Sequence, residues 1–176
     1  GVPCAVSSSG VIVTAGYSST IRLWDSDDFA AIKSLRAIDE FDSIVSLAIS
    51  ADGRFVASVD HGGSVRVWNI ELGVTVLERE AGAGLTCVAL NPAARQVAFG
   101  GVDGEVEIWA FSDGPDDESV GLTARIVEQA ADSFYEVFGI PRRNQVGRLD
   151  DFEGRVNALA FSGDGRVLAT AREDGE

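Results

Sequence analysis

The sequence is poor in the residues that build disulfide scaffolds and metal sites. It has no methionine, one histidine (His61) and two cysteines, Cys4 and Cys87, with no Cys-x-x-Cys motif. A secreted domain that relies on disulfides usually carries more cysteines. We therefore expect two buried, reduced thiols in an intracellular protein, with a disulfide or a thiol metal site as the less favoured alternative. A single histidine leaves no zinc site to propose.

Basic residues are also scarce. Lys and Arg number 14 against 28 Asp and Glu, which gives a net charge of −14. Binding to nucleic acid or to an anionic membrane surface requires clustered cations, so we expect no direct nucleic-acid contact. No apolar run approaches the roughly 18 residues of a membrane span, and no secretory signal opens the chain. We expect no membrane insertion, and other proteins as the partners.

An internal repeat dominates what is present. The three tryptophans, Trp24, Trp68 and Trp109, are 44 and 41 residues apart, and a period near 40 is typical of repeat architectures. Each tryptophan closes a segment with apolar residues at alternate positions, as in Val-Arg-Val-Trp at residues 65–68. This alternation predicts a β-strand with two different faces.

Matching hairpins precede the tryptophan strands. Residues 45–58 and 156–170 align as a strand, an Asp-Gly turn and a returning strand. A second turn, rich in glycine at residues 61–64 and 102–105, leads into the tryptophan strand, and a further apolar stretch follows it, as at residues 75–78. Four antiparallel strands in about 42 residues correspond to one blade of a β-propeller.

On these residues the chain resembles the WD-repeat β-propeller family, although the family's Trp-Asp dipeptide is intact only at Trp24-Asp25. The resemblance implies an all-β fold of about 3.5 four-stranded antiparallel blades. The blade units would be residues 1–40, 41–81, 82–155 and 156–176, the last one incomplete. It also implies hydrogen-bonded sets of a tryptophan, a Ser or Thr hydroxyl, a histidine and a turn aspartate, but the histidine is missing in every copy and no copy has the full set. We expect each tryptophan to be largely buried between blades. The positions that match these sets are Trp24 with Thr14, Trp68 with Ser58, Trp109, Thr170, Asp103 and Asp174. In the third copy Phe99 replaces the hydroxyl.

The fourth unit ends at Glu176, before its tryptophan. A propeller closes with at least four blades and commonly more, and open sheet edges need partners. We expect the remaining blades to come from the same or from another polypeptide. The absence of methionine at Gly1 favours a processed chain or a segment of a longer one.

Some thirty extra residues, 112–144, interrupt the third unit. They begin with an acidic stretch at residues 112–118, which we interpret as a solvated, mobile loop and only as a weak candidate for calcium. Apolar residues at helical spacing then predict a helix near residues 123–138. Its stripe is Leu122, Ile126, Ala130, Phe134, Val137 and Phe138. Two interpretations stay open: the stripe packs on the rim of the propeller, or it docks a second protein.

No set of residues suggests catalysis. His61 lies in a predicted turn, and the recurring aspartates fit turn geometry better than acid–base chemistry. We expect no enzyme activity, no cofactor and no metal. The resemblance implies a non-catalytic interaction scaffold, a subunit or docking platform of a multiprotein assembly. The alternative is a regulatory or sensory propeller domain of a larger multidomain protein, and an enzymatic or ligand-binding propeller is the least favoured class.

Overall fold

The computed structural model describes residues 2–15, 20–36, 43–91, 95–114, 145–149 and 154–173, and these residues form β-strands and turns. Blade 1 contains β1 (Cys4–Val6), β2 (Val11–Ala15), β3 (Thr20–Asp25) and β4 (Ala31–Arg36). Blade 2 contains β5 (Ile44–Ile49), β6 (Phe55–Asp60), β7 (Ser64–Asn69) and β8 (Val74–Glu80). Blade 3 contains β9 (Leu85–Asn91), β10 (Gln96–Gly101), β11 (Val106–Ala110) and β12 (Gln145–Leu149). The fourth unit contains β13 (Val156–Phe161) and β14 (Leu168–Arg172).

Every sheet is an antiparallel meander in which each strand pairs with the next one in the chain. The predicted all-β fold of four-stranded antiparallel blades is thereby confirmed. In blades 1, 2 and 3 the pairing of the third strand with the fourth shifts register just before the tryptophan. Such a bulge changes the direction of a side chain. The same bulge therefore orients the tryptophan side chain in each of the three blades.

The predicted helix at residues 123–138 and its apolar stripe lie outside the described residues. Within the ranges that the structure describes, none of the residues is helical, so no helix there could span a membrane.

The Asp-Gly hairpins of blade 2 and the fourth unit are built in the same way. Ser50 Oγ donates to Asp52 Oδ1 (2.6 Å) and accepts from Phe55 N (2.9 Å). Ser162 Oγ donates to Asp164 Oδ1 (2.6 Å) and accepts from Val167 N (3.0 Å). The following glycines have φ of 72° at Gly53 and 70° at Gly165, a region that disfavours residues with a Cβ.

The core lies between the sheets, along three seams. The first seam joins blades 1 and 2, the second joins blades 2 and 3, and the third joins blade 3 to the fourth unit. Buried residues of the first seam include Val13, Ile21, Leu23, Leu35, Leu47, Val56 and Trp68. Those of the second include Phe55, Ala57, Val65, Val67, Leu90, Val97 and Trp109. The third contains Cys87, Val106 and Val156.

Candidate functional site

The tryptophans mark one particular side of each blade. Trp68 of blade 2 packs into the first seam and is 3% exposed, and Trp109 of blade 3 packs into the second and is 2% exposed. We call this tryptophan side the leading face, because it contacts the preceding blade. The opposite, trailing face carries the neighbouring apolar positions, such as Val65 and Val67 of blade 2, and contacts the following blade.

Trp24 is less buried than the other two tryptophans. Its Nε1 donates to Thr14 Oγ1 (3.0 Å), the pairing that the resemblance implied. The side chain is partly buried, whereas Trp68 and Trp109 are buried. The physical reason is positional: among the described residues there is no sheet against the leading face of blade 1.

The Trp109 indole uses a partner that the sequence did not suggest. Phe99 occupies the expected hydroxyl position, and Trp109 Nε1 instead donates to Glu107 Oε2 of its own strand (2.7 Å). Arg79 of blade 2 lies over the indole, with Cζ 4.1 Å from the ring centroid. A guanidinium at that distance is attracted by the aromatic face, so this contact reinforces the second seam.

The other residues that matched the expected hydrogen-bonded sets differ in burial. Ser58 is buried in β6 and Thr170 is partly buried in β14. Asp103 is exposed, and its Oδ1 accepts from Glu105 N (3.2 Å), which fits a turn-stabilising role. Asp174 lies outside the described residues.

Asp60 is a buried residue that the sequence reasoning missed. In blade 2 the expected turn aspartate is replaced by Gly62, and the carboxylate comes from Asp60, two residues earlier. Its Oδ1 accepts from Gly63 N (3.0 Å) and Ser64 N (2.9 Å). The only signal in the sequence was an aspartate two residues before the glycine pair.

The same carboxylate belongs to a buried ion network. Asp60 Oδ2 lies 3.5 Å from the Arg66 guanidinium, whose Nε donates to Glu78 Oε1 (2.7 Å). Both Asp60 and Arg66 are buried. A buried charge requires such pairing, because isolation from water is costly. The network therefore fixes the position of the turn. Its charged groups stabilise the fold and are not available for catalysis.

Within the part of the chain that the structure describes, both ends of the blade stack carry exposed apolar side chains. Val6 of blade 1 is 64% exposed, whereas Ile49, which occupies the same place before the hairpin serine of blade 2, packs into the first seam. On the trailing side of the fourth unit, Val167 is 61% exposed, whereas its counterpart Phe55 is buried in the second seam. The faces that are buried between blades are thus open at the ends.

The two cysteines differ in environment. Cys87 is a buried free thiol of the third seam, and burial raises the pKa of the Cys87 thiol above its ordinary value. Cys4 is free and exposed, so the expectation of two buried thiols is wrong for Cys4. The cause is again the open leading face, since Leu47, the corresponding residue of blade 2, lies buried in the first seam.

The acidic stretch begins with an anchored residue. Asp113 contacts Arg95 through two bonds, from Nε to Oδ1 (2.5 Å) and from Nη2 to Oδ2 (3.2 Å). Its main-chain oxygen accepts from Asn69 Nδ2 of blade 2 (2.8 Å). Asp113 is exposed to solvent, and at the same time these contacts hold it in place. The described residues contain no group of three or more His, Cys, Asp or Glu arranged to hold a metal ion.

Comparison with known families decides the assignment. The family model "WD domain, G-beta repeat" matches residues 32–69 and 143–176. These two segments of the chain are WD repeats. Two separate matches agree with the internal repeat of blades, and the tryptophan-marked seams are those of a WD-repeat fold.

Individual relatives of this WD-repeat chain are distant. It is 22% identical over 165 residues to eukaryotic translation initiation factor 3 subunit I of Anopheles gambiae, covering 93% of the chain and 45% of that protein. It is 24% identical over 192 residues to pre-mRNA-processing factor 19 homolog 2 of Arabidopsis thaliana, covering 96% of the chain and 35% of that protein. The chain thus spans less than half the length of these relatives.

A solved structure supports the fold. A chain in the crystal structure of the mitotic checkpoint complex superposes on this one with a TM-score of 0.69 and 19% identity. The match covers 98% of this chain and 44% of the other. At this identity the similarity concerns the WD-repeat fold alone.

Proposed function

We propose that this WD-repeat chain is a non-catalytic protein–protein interaction scaffold, acting as a subunit or docking platform of a multiprotein assembly. The observation that carries the proposal is the pair of open faces. Val6 and Val167 are more than half exposed at positions whose counterparts pack inside the stack. Apolar sheet faces of this kind are stable in water only when another surface covers them.

The polar groups support the non-catalytic part of the proposal. The carboxylates of Asp52, Asp60 and Asp164 accept hydrogen bonds from turn amides, and Arg66 is held in the buried network. Groups fixed in this way stabilise hairpins, and a reaction site would need them directed at a common point.

The names of the relatives supply the setting. Two are named as a translation initiation factor subunit and a pre-mRNA-processing factor. Their functions suggest an intracellular location and protein partners for this chain as well. The open faces would be covered by further blades, from the same or from another polypeptide.

Within the same proposal, the stripe of residues 122–138 docks a partner protein. A photo-crosslinking residue at Phe134, on the stripe, should link to a second protein in the native assembly. The matched control is the same residue at Glu128, on the opposite side of the predicted helix, which should link weakly or not at all. Crosslinks from Phe134 only to the chain's own blades would instead make the stripe a brace on the propeller rim.

The second candidate is a regulatory or sensory propeller domain of a larger protein. The observation in its favour is that the chain spans 45% and 35% of the two relatives described above. The intact mass of the native polypeptide, together with activity assays of its other domains with and without the blades, separates the two. A catalytic domain whose rate changes when the blades are removed would favour the regulatory function over the scaffold.

A further inference from the structure

Two arginines meet at the second seam on one aromatic platform. Arg95 of blade 3 lies with Cζ 4.4 Å from the Phe55 ring centroid, and Arg54 of blade 2 with Cζ 5.5 Å from the same centroid. Phe55 is fully buried and packs against Phe111 at a centroid distance of 5.2 Å. Stacking on a fixed ring restricts both guanidinium groups before any anion arrives.

The two arginines and Asn69 bind Asp113 through both its carboxylate and its main-chain oxygen. The Asp113 carboxylate receives both bonds from Arg95 described above, and Arg54 Nη2 lies 3.7 Å from Oδ2. The main-chain oxygen of Asp113 accepts from Asn69 Nδ2. Asn69 is itself oriented, because its Oδ1 accepts from Leu72 N (3.1 Å). Together these contacts recognise an aspartate within a peptide, since a free anion offers no adjacent carbonyl.

The contact is open to exchange. The side chains of Arg54, Arg95 and Asp113 are 41%, 35% and 54% exposed. Exposed ion pairs are weak, so a competing carboxylate can replace Asp113 without unfolding a blade. Arg54 is also incompletely used: its contact with Asp113 is longer than a hydrogen bond, and its Nε is buried and has no hydrogen-bond partner among the described residues.

We propose that Arg54, Arg95 and Asn69 form a docking site for an acidic peptide segment of a partner protein, and that Asp113 occupies this site in cis. A partner aspartate would take the same bidentate bond to Arg95 and the same bond from Asn69. The internal aspartate then weakens docking by competition, and its release strengthens it. The site is separate from the open blade faces and from the stripe, so its failure would leave the scaffold function standing.

The test uses a synthetic peptide with the sequence of residues 112–118 as the probe, added to the 176-residue chain. Binding is followed by NMR through the Arg95 Nε–Hε resonance. An occupant that fills a site about nine-tenths of the time weakens a competitor about tenfold. Asp113→Asn, which removes the carboxylate and keeps the backbone, should therefore bind the peptide about tenfold more tightly than the wild-type chain.

Three controls make the result specific. Asp164→Asn removes the same charge in a distant turn and should leave the affinity unchanged. A peptide with Asn at the position of Asp113 should bind at least tenfold more weakly. Arg95→Gln combined with Asp113→Asn should abolish the gain.

The proposal is overturned if Asp113→Asn binds no more tightly than the wild-type chain, or if the Arg95→Gln double variant retains the gain. In either case the cluster only links blades 2 and 3. A fall in melting temperature of Asp113→Asn without a gain in binding would lead to the same conclusion.

Discussion

Asp60 and Arg66 of blade 2 form an ion pair that is almost completely removed from water, with Oδ2 3.5 Å from the guanidinium. The Asp60 carboxylate also holds the turn that precedes β7 through the amides of Gly63 and Ser64. One side chain thus fixes both the turn and the buried charge of the strand that follows.

Asp60→Asn should destabilise the chain by about 3 kcal/mol, since removing one partner of a buried pair leaves the other uncompensated. The measurement is the free energy of unfolding by urea at pH 7. Asp103→Asn, in the exposed turn of blade 3, is the matched control and should stay within about 0.5 kcal/mol of the wild-type chain. Equal effects of the two substitutions would refute the structural importance of the buried pair.

Deleting the Trp68 side chain should destabilise the chain more than deleting that of Trp24, because only Trp68 lies inside a seam. Trp68→Ala should cost about 3–5 kcal/mol, the usual cost of deleting a large buried aromatic side chain. Trp24→Ala should cost clearly less in the 176-residue chain, because Trp24 lies on the uncovered face. Denaturant unfolding of both variants checks this, and the idea fails if Trp24→Ala is as damaging as Trp68→Ala.

The internal repeat made the blades predictable from the sequence. Alternating apolar residues around the tryptophans and the matching hairpins were enough to place the first three strands of blades 2 and 3, whereas β12 was not placed from the sequence. Substitutions within the repeat were not predictable in the same way. Asp60 replaces a turn aspartate from another position, and Glu107 replaces a hydroxyl that Phe99 cannot supply. Such exchanges conserve a hydrogen bond in space and leave no pattern in the sequence.

Tertiary contacts, and above all those between blades, were still harder to predict from the sequence. The pairing of Asp113 with Arg95 and Asn69 joins residues 18 and 44 positions apart. The pairing of β10 with β11 brings Arg95 near Asp113, and the packing of blade 2 on blade 3 brings Asn69 to it. The uneven burial of Trp24 and Cys4 has a similar origin, because exposure depends on which face has a neighbour.

Stability should depend on pH through Asp52. Burial acts to raise the pKa of Asp52, but hydrogen bonds from Ser50 and Arg54 N and the charges of Arg54 and Arg95 outweigh it, so the pKa lies below its ordinary value. A lowered pKa in the folded state stabilises above the unfolded pKa of about 3.9, and this contribution is lost as the pH falls through the folded value. Asp52→Asn should be destabilised relative to the wild-type chain at pH 7, and the difference should shrink below about pH 4. A difference that is constant from pH 7 to pH 2 would contradict this.

The two thiols should react at very different rates. Cys4 is exposed, whereas Cys87 is buried and its pKa is raised by burial, which lowers the thiolate fraction. Under native conditions iodoacetamide should alkylate Cys4 first, and Cys87 only after denaturation, as read by peptide mass spectrometry. Equal labelling of both in the folded chain would show that the third seam opens readily.

The most direct test of the scaffold proposal is hydroxyl-radical footprinting of the native assembly and of the isolated 176-residue chain. Trp24 and Val6 report on the leading face of blade 1, Val167 reports on the trailing face of the fourth unit, and buried Trp109 is the internal reference. If the open faces are covered by protein surfaces, Trp24, Val6 and Val167 will be oxidised in the isolated chain and protected in the assembly, while Trp109 will be protected in both. Equal oxidation of Trp24, Val6 and Val167 in the two samples would contradict the proposal.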